Sequence, residues 1–329
     1  MLSIGQFTSS NGVVLAPMAG VTDRPFRNLC RSLGAEFVVC EMISSDMRLW
    51  QSRKSQQRLS HGLKEEPYWI QIAGADADMM AAAARRCTAL GAQIIDINMG
   101  CPAKRVCNRA AGSALMKDEK LVADILHKVV EAVPVPVTVK MRTGWSESSQ
   151  NVVHLAGIAE QCGVAAITVH GRTGEARFKG AAEYDSIAQV KQSVAIPVIA
   201  NGDIDSPEKA KWALTYTGAD GIMIGRAAQG KPWLIGEIDS FLSSGKYKQP
   251  LQPGEVREIL LRHLRELHRF YGEATGVRIA RKHVGWYLHE QAGGKEARRA
   301  FNGLVAAKDQ LIFLKECFAR LFTEGDMAA

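Results

Sequence analysis

Short apolar runs rich in β-branched residues recur along the first three-quarters of the chain. Each run is followed by a Gly or polar turn and then by an amphipathic stretch. Runs of this length between turn signals are typical of buried strands. The pattern predicts eight strands, at Val13–Ala16, Phe37–Cys40, Trp69–Ile72, Ile94–Ile97, Val135–Val139, Ala166–Val169, Pro197–Ala200 and Gly221–Ile224.

The amphipathic stretches between these runs predict helices at Arg24–Leu33, Asp78–Leu90, Leu121–Val133, Val152–Gln161, Ser186–Ser193 and Pro207–Thr215. Glycine follows several of them, as expected where the chain needs a positive φ after a helix. Strand alternating with helix predicts a parallel sheet, and eight such units favour an α/β fold of the (β/α)8 TIM-barrel type. An open doubly wound sheet is the alternative, but no GxGxxG motif follows the first strand.

The last quarter of the chain has a helical pattern instead. Apolar residues repeat at helical spacing between Glu255 and His268, and arginines lie outside that apolar stripe. We therefore predict two domains, a TIM barrel at residues 1–244 and a C-terminal all-helical domain at residues 245–329.

Composition places the chain among globular proteins. It has 329 residues, of which 47% are hydrophobic and 23% charged. No apolar run approaches the length of a membrane span, and the first residues do not resemble a signal peptide. The seven cysteines are scattered and lack metal-ligand spacing, so we expect reduced thiols and no metal. These features predict a cytoplasmic protein without a membrane partner, and a monomer without a stable protein partner by default.

Positive charge is concentrated near the carboxyl terminus. The net charge is +7, and the residues from Gly245 onward contain 15 Lys and Arg against 10 Asp and Glu. The remaining residues contain 26 against 24. An excess of this kind favours a segment that binds a polyanion such as nucleic acid, although a solvated helical surface can show the same bias.

Several predicted strands end in polar or reactive residues. Asp96 and Asn98 alternate with apolar neighbours, so they share one face of the fourth strand. The loop that follows holds Cys101 near Lys104 and Arg105. A thiol at the mouth of a polar interior can act as a proton donor or a nucleophile. Because the active sites of TIM barrels lie at the carboxyl ends of the strands, these residues predict a site there.

Later strands indicate a phosphorylated ligand. Lys140 is expected to point into the barrel, where a buried ammonium group needs an anion. Asn201-Gly202-Asp203 and Gly225-Arg226 follow the seventh and eighth strands, a usual place for a phosphate site in this fold. FMN and pyridoxal phosphate are both compatible with this arrangement. Lys140 would stabilise negative charge on a reduced flavin, or form a Schiff base with pyridoxal phosphate.

Eight motifs along the chain resemble those of the tRNA-dihydrouridine synthases, with the bacterial B subtype as the best match. They occur in the order of that family and extend from the first strand into the tail, at Ala16–Asp23, Gln71–Gly74, Asp96–Lys104, Lys140–Trp145, Val169–Thr173, Ile199–Asp203, Met223–Ala227 and Arg278–His283.

This resemblance implies reduction of the uracil C5–C6 bond of specific uridines in the tRNA D-loop, with FMN as cofactor and NADPH as the reductant of the flavin. Hydride would pass from flavin N5 to C6, and Cys101 would donate the proton to C5. Asn98 matches a substrate contact of the family. The implied FMN-binding residues are Pro17, Met18, Ala19, Gln71, Lys140, His170, Asn201, Gly202, Asp203, Gly225 and Arg226.

Contacts with tRNA are expected from basic residues, because charge dominates the affinity of proteins for RNA. We predict these contacts at Lys104, Arg105, Arg278, Arg281 and Lys282. Two other functions remain open. An FMN barrel acting on a free small molecule would leave the basic tail unexplained. A non-catalytic RNA-binding barrel would leave the residues at the strand ends unexplained.

Overall fold

A computed structural model describes residues 1–62, 66–289 and 293–323. The chain divides into two compact units. The first comprises Met1–Arg226 and Trp233–Lys246, and the second comprises Ala227–Pro232 and Tyr247–Ala329.

The first unit is a barrel of parallel strands surrounded by helices. An amino-terminal antiparallel hairpin, β1 (Leu2–Ile4) and β2 (Phe7–Ser9), precedes it. The barrel strands are β3 (Val13–Leu15), β4 (Phe37–Val38), β5 (Ile43–Ser44), β6 (Trp69–Ala73), β7 (Ile94–Met99), β8 (Val137–Arg142), β9 (Ala166–His170), β10 (Val198–Asn201) and β11 (Gly221–Ile224).

Strand order and one bridge show how the barrel closes. The order is β4-β3-β11-β10-β9-β8-β7-β6-β5, with every neighbouring pair parallel. β4 and β5 are successive segments of the second barrel strand. Just after β4, Val39 bridges Trp69 of β6, and the amide of Cys40 donates to the carbonyl of Trp69 at 2.9 Å. The predicted eight-stranded TIM barrel is therefore confirmed.

The described residues of the barrel unit form nine α-helices, and all six predicted helices are among them. They are α1 (Arg24–Ser32), α2 (Arg53–Leu59), α3 (Ala77–Ala89), α4 (Lys104–Cys107), α5 (Glu119–Ala132), α6 (Val152–Gln161), α7 (Asp185–Ser193), α8 (Pro207–Thr217) and α9 (Leu234–Ser244). Side-chain caps fix several of their starts, because Asp23, Asp76 and Ser206 accept from the free amides of α1, α3 and α8.

The barrel interior is apolar at the amino-terminal ends of the strands. Leu2 and Ile4 of the hairpin are completely buried in a cluster with inward-facing residues such as Trp69, Ile94 and Ala166. The apolar pattern of the sequence did not predict this hairpin, whose strands have only three residues each. By filling this end of the barrel with apolar side chains, the fold leaves the inward-facing polar residues for the opposite end.

Four α-helices are formed by the part of the second unit that the structure describes: α10 (Pro253–Tyr271), α11 (Glu273–Tyr287), α12 (Gly294–Gly303) and α13 (Ala307–Thr323). Leu260, Leu264 and Leu267 form the buried stripe of α10, while Arg262 and Arg265 are exposed, as the helical spacing predicted. Gly230 also belongs to this unit. It has φ +78°, and a Cβ there would lie 2.7 Å from the backbone of Trp286. The predicted helical tail is thus confirmed.

Candidate active site

A chain of buried polar side chains crosses strands β6, β7 and β8. Gln71 donates to Asp96 at 2.7 Å, and Asn98 donates to the carbonyl oxygen of Gln71 at 2.7 Å. Thr138 donates to the other carboxylate oxygen of Asp96 at 2.7 Å. Burial raises the pKa of Asp96 to about 6, although these hydrogen bonds act in the opposite direction. These hydrogen bonds hold Asn98 at the carboxyl end of its strand. Asp96 and Asn98 both bond to Gln71, so they share one face, as strand alternation predicted.

Asn98 in turn holds the loop that carries the thiol. Its side-chain oxygen accepts from the amides of Cys101 at 3.0 Å and Gly100 at 3.3 Å. The carbonyl of Cys101 accepts from the amide and the hydroxyl of Ser113, and the thiol of Cys107 lies 3.4 Å from the same oxygen. The backbone of Cys101 is therefore fixed on both sides.

The thiol of Cys101 is half-buried, and burial raises its pKa above the ordinary value. Arg142 and Lys140 act in the opposite direction but do not outweigh burial. Lys104 and Arg105 are exposed on α4. The thiol therefore stays protonated at neutral pH, which suits a proton donor and does not suit a nucleophile.

Lys140 lies inside the barrel beside an amide. Its ammonium group donates to the side-chain oxygen of Asn201 at 2.8 Å, and Asn201 donates to the carbonyl of Met223 at 2.7 Å. Burial lowers the pKa of Lys140 to about 7, with Arg142 contributing in the same direction. Among the described residues, no carboxylate lies within salt-bridge distance of this ammonium group. An anion bound here would favour the charged form of Lys140.

A second polar cluster lies at the ends of β9, β10 and β11. Asp203 accepts from Arg172 at 2.9 Å, from Arg226 at 3.0 Å and from the amide of Ala182 at 2.8 Å. Arg172 is buried and also lies 3.3 Å from Nε2 of His170. Burial, together with the surrounding cations, lowers the pKa of His170 far below its ordinary value, so His170 is neutral. Arg226 remains half-exposed.

Backbone rather than side chains borders this cluster on one side. Gly202 has φ +127°, and a Cβ there would lie 2.6 Å from the Cβ of Ala182. Gly225 is different, because a Cβ there would meet nothing closer than 3.8 Å, from Met18 and Ala16. Pro17 and Met18 are half-buried and Ala19 is exposed, in the loop that follows β3. The structure therefore brings Met18 and Ala16 to ordinary van der Waals distance from the Cβ position of Gly225.

Two buried arginines were not among the predicted site residues. Arg142 donates to the carbonyls of Gly100 at 2.8 Å and of Thr173 and Arg177 at 2.7 Å, so it joins the thiol loop to the loop after β9. Arg172 joins His170 to Asp203, as described above. Strand parity predicts that Arg142 points inward with Lys140, although it assigns Arg142 no role. Arg172 instead lies in a loop, and its partner Asp203 is 31 residues away.

The predicted tRNA contacts are divided between the two units. Lys104 and Arg105 lie on the exposed side of α4, next to the thiol loop. Arg278 is exposed on α11, whereas Arg281 and Lys282 are half-buried there. Arg281 donates to the carbonyl of Leu304 at 3.1 Å, so it also has a structural contact within the second unit. The role of these five residues in RNA binding stays a prediction.

Fold and site together are typical of a TIM-barrel enzyme, with a protonated thiol, an inward-facing lysine and a cluster of cations at the strand ends. Comparison with known proteins specifies the class. A family model described as dihydrouridine synthase matches residues 14–323. The tRNA-dihydrouridine synthase B of Pseudomonas syringae pv. tomato is 60% identical over 317 residues, covering 96% of this chain and 94% of that protein.

Two further relatives carry the same name. The tRNA-dihydrouridine synthase B of Pseudomonas aeruginosa is 57% identical over 325 residues, covering 99% of this chain and 98% of that protein. The protein of that name from Yersinia pestis is 54% identical over 320 residues, covering 97% of this chain and all of that protein. The chain therefore belongs to the dihydrouridine synthase family of enzymes, as the motifs indicated.

Proposed function

We propose that this protein reduces specific uridines in the D-loop of tRNA to 5,6-dihydrouridine, with FMN as cofactor and NADPH as reductant. Membership of the dihydrouridine synthase family supports reduction of uridine, and the printed names of the relatives support tRNA as the substrate. The observation that carries the proposal is the pairing of a protonated thiol with an inward-facing lysine at the mouth of one barrel.

The residues at the barrel mouth fit a flavin phosphate. Arg226 is half-exposed beside Asp203, so its guanidinium group can still contact a phosphate. Among the described residues, the one hydrogen-bond partner of Lys140 is the side-chain amide of Asn201, so the ammonium group would be available to stabilise negative charge on the reduced ring. Pro17, Met18, Ala19, Gln71, His170, Asn201, Gly202 and Asp203 would complete the contacts of the cofactor.

The reaction needs a hydride at C6 and a proton at C5 of the uracil. FMN, when bound, supplies the hydride, and NADPH restores it. Cys101 donates the proton to C5 from its neutral thiol, and the resulting thiolate recovers a proton from solvent. Asn98 orients the loop of Cys101 through both of its amide contacts and would also contact the uracil. Since uracil in folded tRNA is stacked, the base must be extruded to reach the thiol.

The test is an anaerobic experiment with two half-reactions. The visible spectrum of the purified protein should show flavin, which NADPH bleaches. Substrate tRNA transcribed without dihydrouridine should restore the colour and yield dihydrouridine detectable by mass spectrometry. Recovery of colour with free orotate or uridine but not with tRNA would indicate a small-molecule reductase. A protein that stays colourless after addition of FMN would contradict the proposed flavin cofactor. The remaining function would then be that of a non-catalytic RNA-binding barrel.

We also propose a cytoplasmic location, because tRNA is processed there. Within residues 1–62, 66–289 and 293–323, none of the helices combines the length and apolarity that crossing a bilayer requires.

A further inference from the structure

A cavity of about 810 Å³ opens beside the thiol loop in the barrel unit. Its walls come from the loops after the second, third and fourth barrel strands, at residues 42–58, 73–79 and 103–111. Sites for small organic ligands commonly have volumes of roughly 300–1,000 Å³. The cavity is therefore large enough for a nucleotide and far larger than a single ion needs. None of the cofactor-binding or catalytic residues above lines it.

Positive charge predominates in the cavity wall. Five cations line it, namely Arg48, Lys54, Arg58, Arg105 and Arg109, against two carboxylates, Asp46 and Asp76. Some of these groups already have partners. Arg48 makes two hydrogen bonds with Asp46, at 2.8 and 2.9 Å, and Arg58 donates to the carbonyl of Met42 at 3.2 Å. The carboxylate of Asp76 caps α3 by accepting from the amide of Met79 at 2.8 Å.

Arg109 is exposed in the same wall and lies near the carboxylate of Asp46. Lys54 and Arg105 are two further cations, and they are available to a ligand. Both are exposed, on α2 and α4, and within the described part of the chain neither has a hydrogen-bond or ion-pair partner. They belong to two different loops that face the same cavity. Two cations from different loops that line one cavity suit a phosphate group, which is the charged part of every nucleotide.

Apolar side chains form the rest of the cavity. Leu49, Met79 and Val106 line it together with Met42. Leu49 is 42% exposed, so its side chain is accessible to a ligand. Flat heterocyclic bases bind on such surfaces through apolar and stacking contacts that do not depend on base identity. The cations of the cavity wall suit the phosphate of a nucleotide, and the apolar side chains suit its base.

The cavity also lies close to the thiol along the chain. Ala103 in its wall follows Cys101 by two residues, a span of at most roughly 7 Å. Ala111, also in the wall, precedes Gly112, whose added Cβ would lie 2.5 Å from the carbonyl oxygen of Cys101. If a uracil of tRNA is held at Cys101, the adjacent nucleotide of the RNA therefore lies within reach of the cavity.

We propose that this cavity binds the nucleotide next to the target uridine in the tRNA strand. Its base would rest on Met79 and Val106, and its phosphate would contact Lys54 and Arg105. This inference rests on the function proposed above and deepens it. Enzymes that extrude a base commonly read the flanking nucleotides, so the cavity would contribute to the choice of uridine.

The experiment uses full-length holoenzyme and two variants of the cavity. Lys54→Ala removes charge, and Met79→Trp fills the apolar part. Lys211→Ala is the matched control, because Lys211 is an exposed lysine on α8 outside the cavity. Reduced enzyme is mixed anaerobically with substrate tRNA, and with transcripts that are abasic at either neighbour of the target uridine. Bleaching by NADPH is measured separately for each variant.

We expect Lys54→Ala to weaken the apparent tRNA affinity about 3–10-fold, with a salt slope lower by about one. Met79→Trp should weaken it about tenfold or more. Removal of one neighbouring base should cost the wild type about tenfold, but should cost Met79→Trp nothing further, because the cavity is already filled. The control and the reaction with NADPH should match the wild type.

Three results would overturn the inference. The first is a tRNA affinity of both cavity variants equal to that of Lys211→Ala. The second is a full additional loss for the abasic transcripts with Met79→Trp. The third is slower bleaching by NADPH with unchanged tRNA affinity, which would mean that the cavity binds a phosphate of the reductant. Failure of the proposed function is distinguishable, because wild-type enzyme would then not be reoxidised by any tRNA.

Discussion

At the scale of single residues, burial sets the chemistry of the barrel mouth. The same physical cause raises the pKa of the Cys101 thiol and lowers that of the Lys140 ammonium group to about 7. Both shifts favour the neutral form, although the two side chains carry opposite charges when ionised. Cys101 thereby retains its proton. A ligand that brings negative charge would stabilise the charged form of Lys140.

Replacement of Cys101 by Ala should separate the two half-reactions. We expect flavin content and bleaching by NADPH to be unchanged, while reoxidation by tRNA slows by about 10²–10⁴-fold, the usual contribution of a general acid. Stopped-flow spectra under anaerobic conditions would measure both rates. Cys162→Ser is the matched control, since this half-buried thiol lies in the segment after α6. Retained turnover of tRNA by Cys101→Ala would remove the acid role.

The pH profile of the same step provides a second measurement. Since the folded pKa of Cys101 lies above its ordinary value of 9.0, the thiol is protonated throughout the neutral range. The rate of reoxidation by tRNA should therefore be flat from pH 7 to about 9 and fall only at higher pH. A rate that falls between pH 6 and 8 in the wild type would indicate either a donor with a lower pKa than this thiol or loss of charge on Lys140, whose pKa burial lowers to about 7.

At the scale of elements, two buried histidines lie between neighbouring helices of the second unit. The rings of His263 on α10 and His283 on α11 are 4.6 Å apart and nearly perpendicular. Both residues are 1% exposed. Burial lowers the pKa of His263 to about 3, and burial with the neighbouring His263 lowers that of His283 well below 6.5. Sequence spacing placed the apolar stripe of α10 but not this pair.

This histidine pair should make the second unit sensitive to acid. Below pH 6.5 the unfolded chain binds protons that the folded pair does not, so the free energy of unfolding falls as pH decreases from 6.5 towards 3. The slope is up to about 1.4 kcal/mol per pH unit for each histidine. We expect calorimetric melting temperatures of His263→Phe to fall less between pH 7 and 5 than those of the wild type. His127→Phe, at an exposed histidine of α5, is the control. Equal pH dependence in all three proteins would contradict this account.

At the scale of the whole molecule, the chain combines a nearly neutral barrel with a basic tail. The barrel carries the candidate chemistry, whereas the residues from Gly245 onward hold most of the net charge of +7. The second unit is compact, with buried Leu264, Val284 and Phe301 in its core, so its surface cations are held by a packed scaffold. This division of charge supports RNA binding by the tail.

Arg278 and Arg281 test that division. We expect Arg278→Ala and Arg281→Ala each to weaken tRNA binding about 3–10-fold and to reduce the salt slope by about one. Arg281→Ala should also lower the free energy of unfolding by about 1 kcal/mol, because it loses the hydrogen bond to Leu304. Filter binding at several salt concentrations would measure this, with Lys211→Ala in the barrel unit as control. An unchanged slope for Arg281→Ala would assign that residue to structure alone.

Local pattern was sufficient for the elements but not for the connections among them. The apolar runs and amphipathic stretches marked all eight barrel strands and the main helices. Buried faces repeat every two residues in a strand and about every four in a helix, so both can be recognised from local spacing. The hairpin at Leu2–Ser9 escaped notice, because three-residue strands contain too few positions for a period to emerge.

The sequence by itself determined the barrel, the helical tail, the polar strand ends and, through its motifs, the family. Only the tertiary structure decided how those residues act together. Arg142 ties the thiol loop to the loop after β9, and Arg172 pairs with Asp203, through contacts between segments about 30 residues apart. The cavity beside Cys101 likewise forms from three loops. Such contacts, and the pKa shifts that burial produces, depend on distances in space and have no period along the chain.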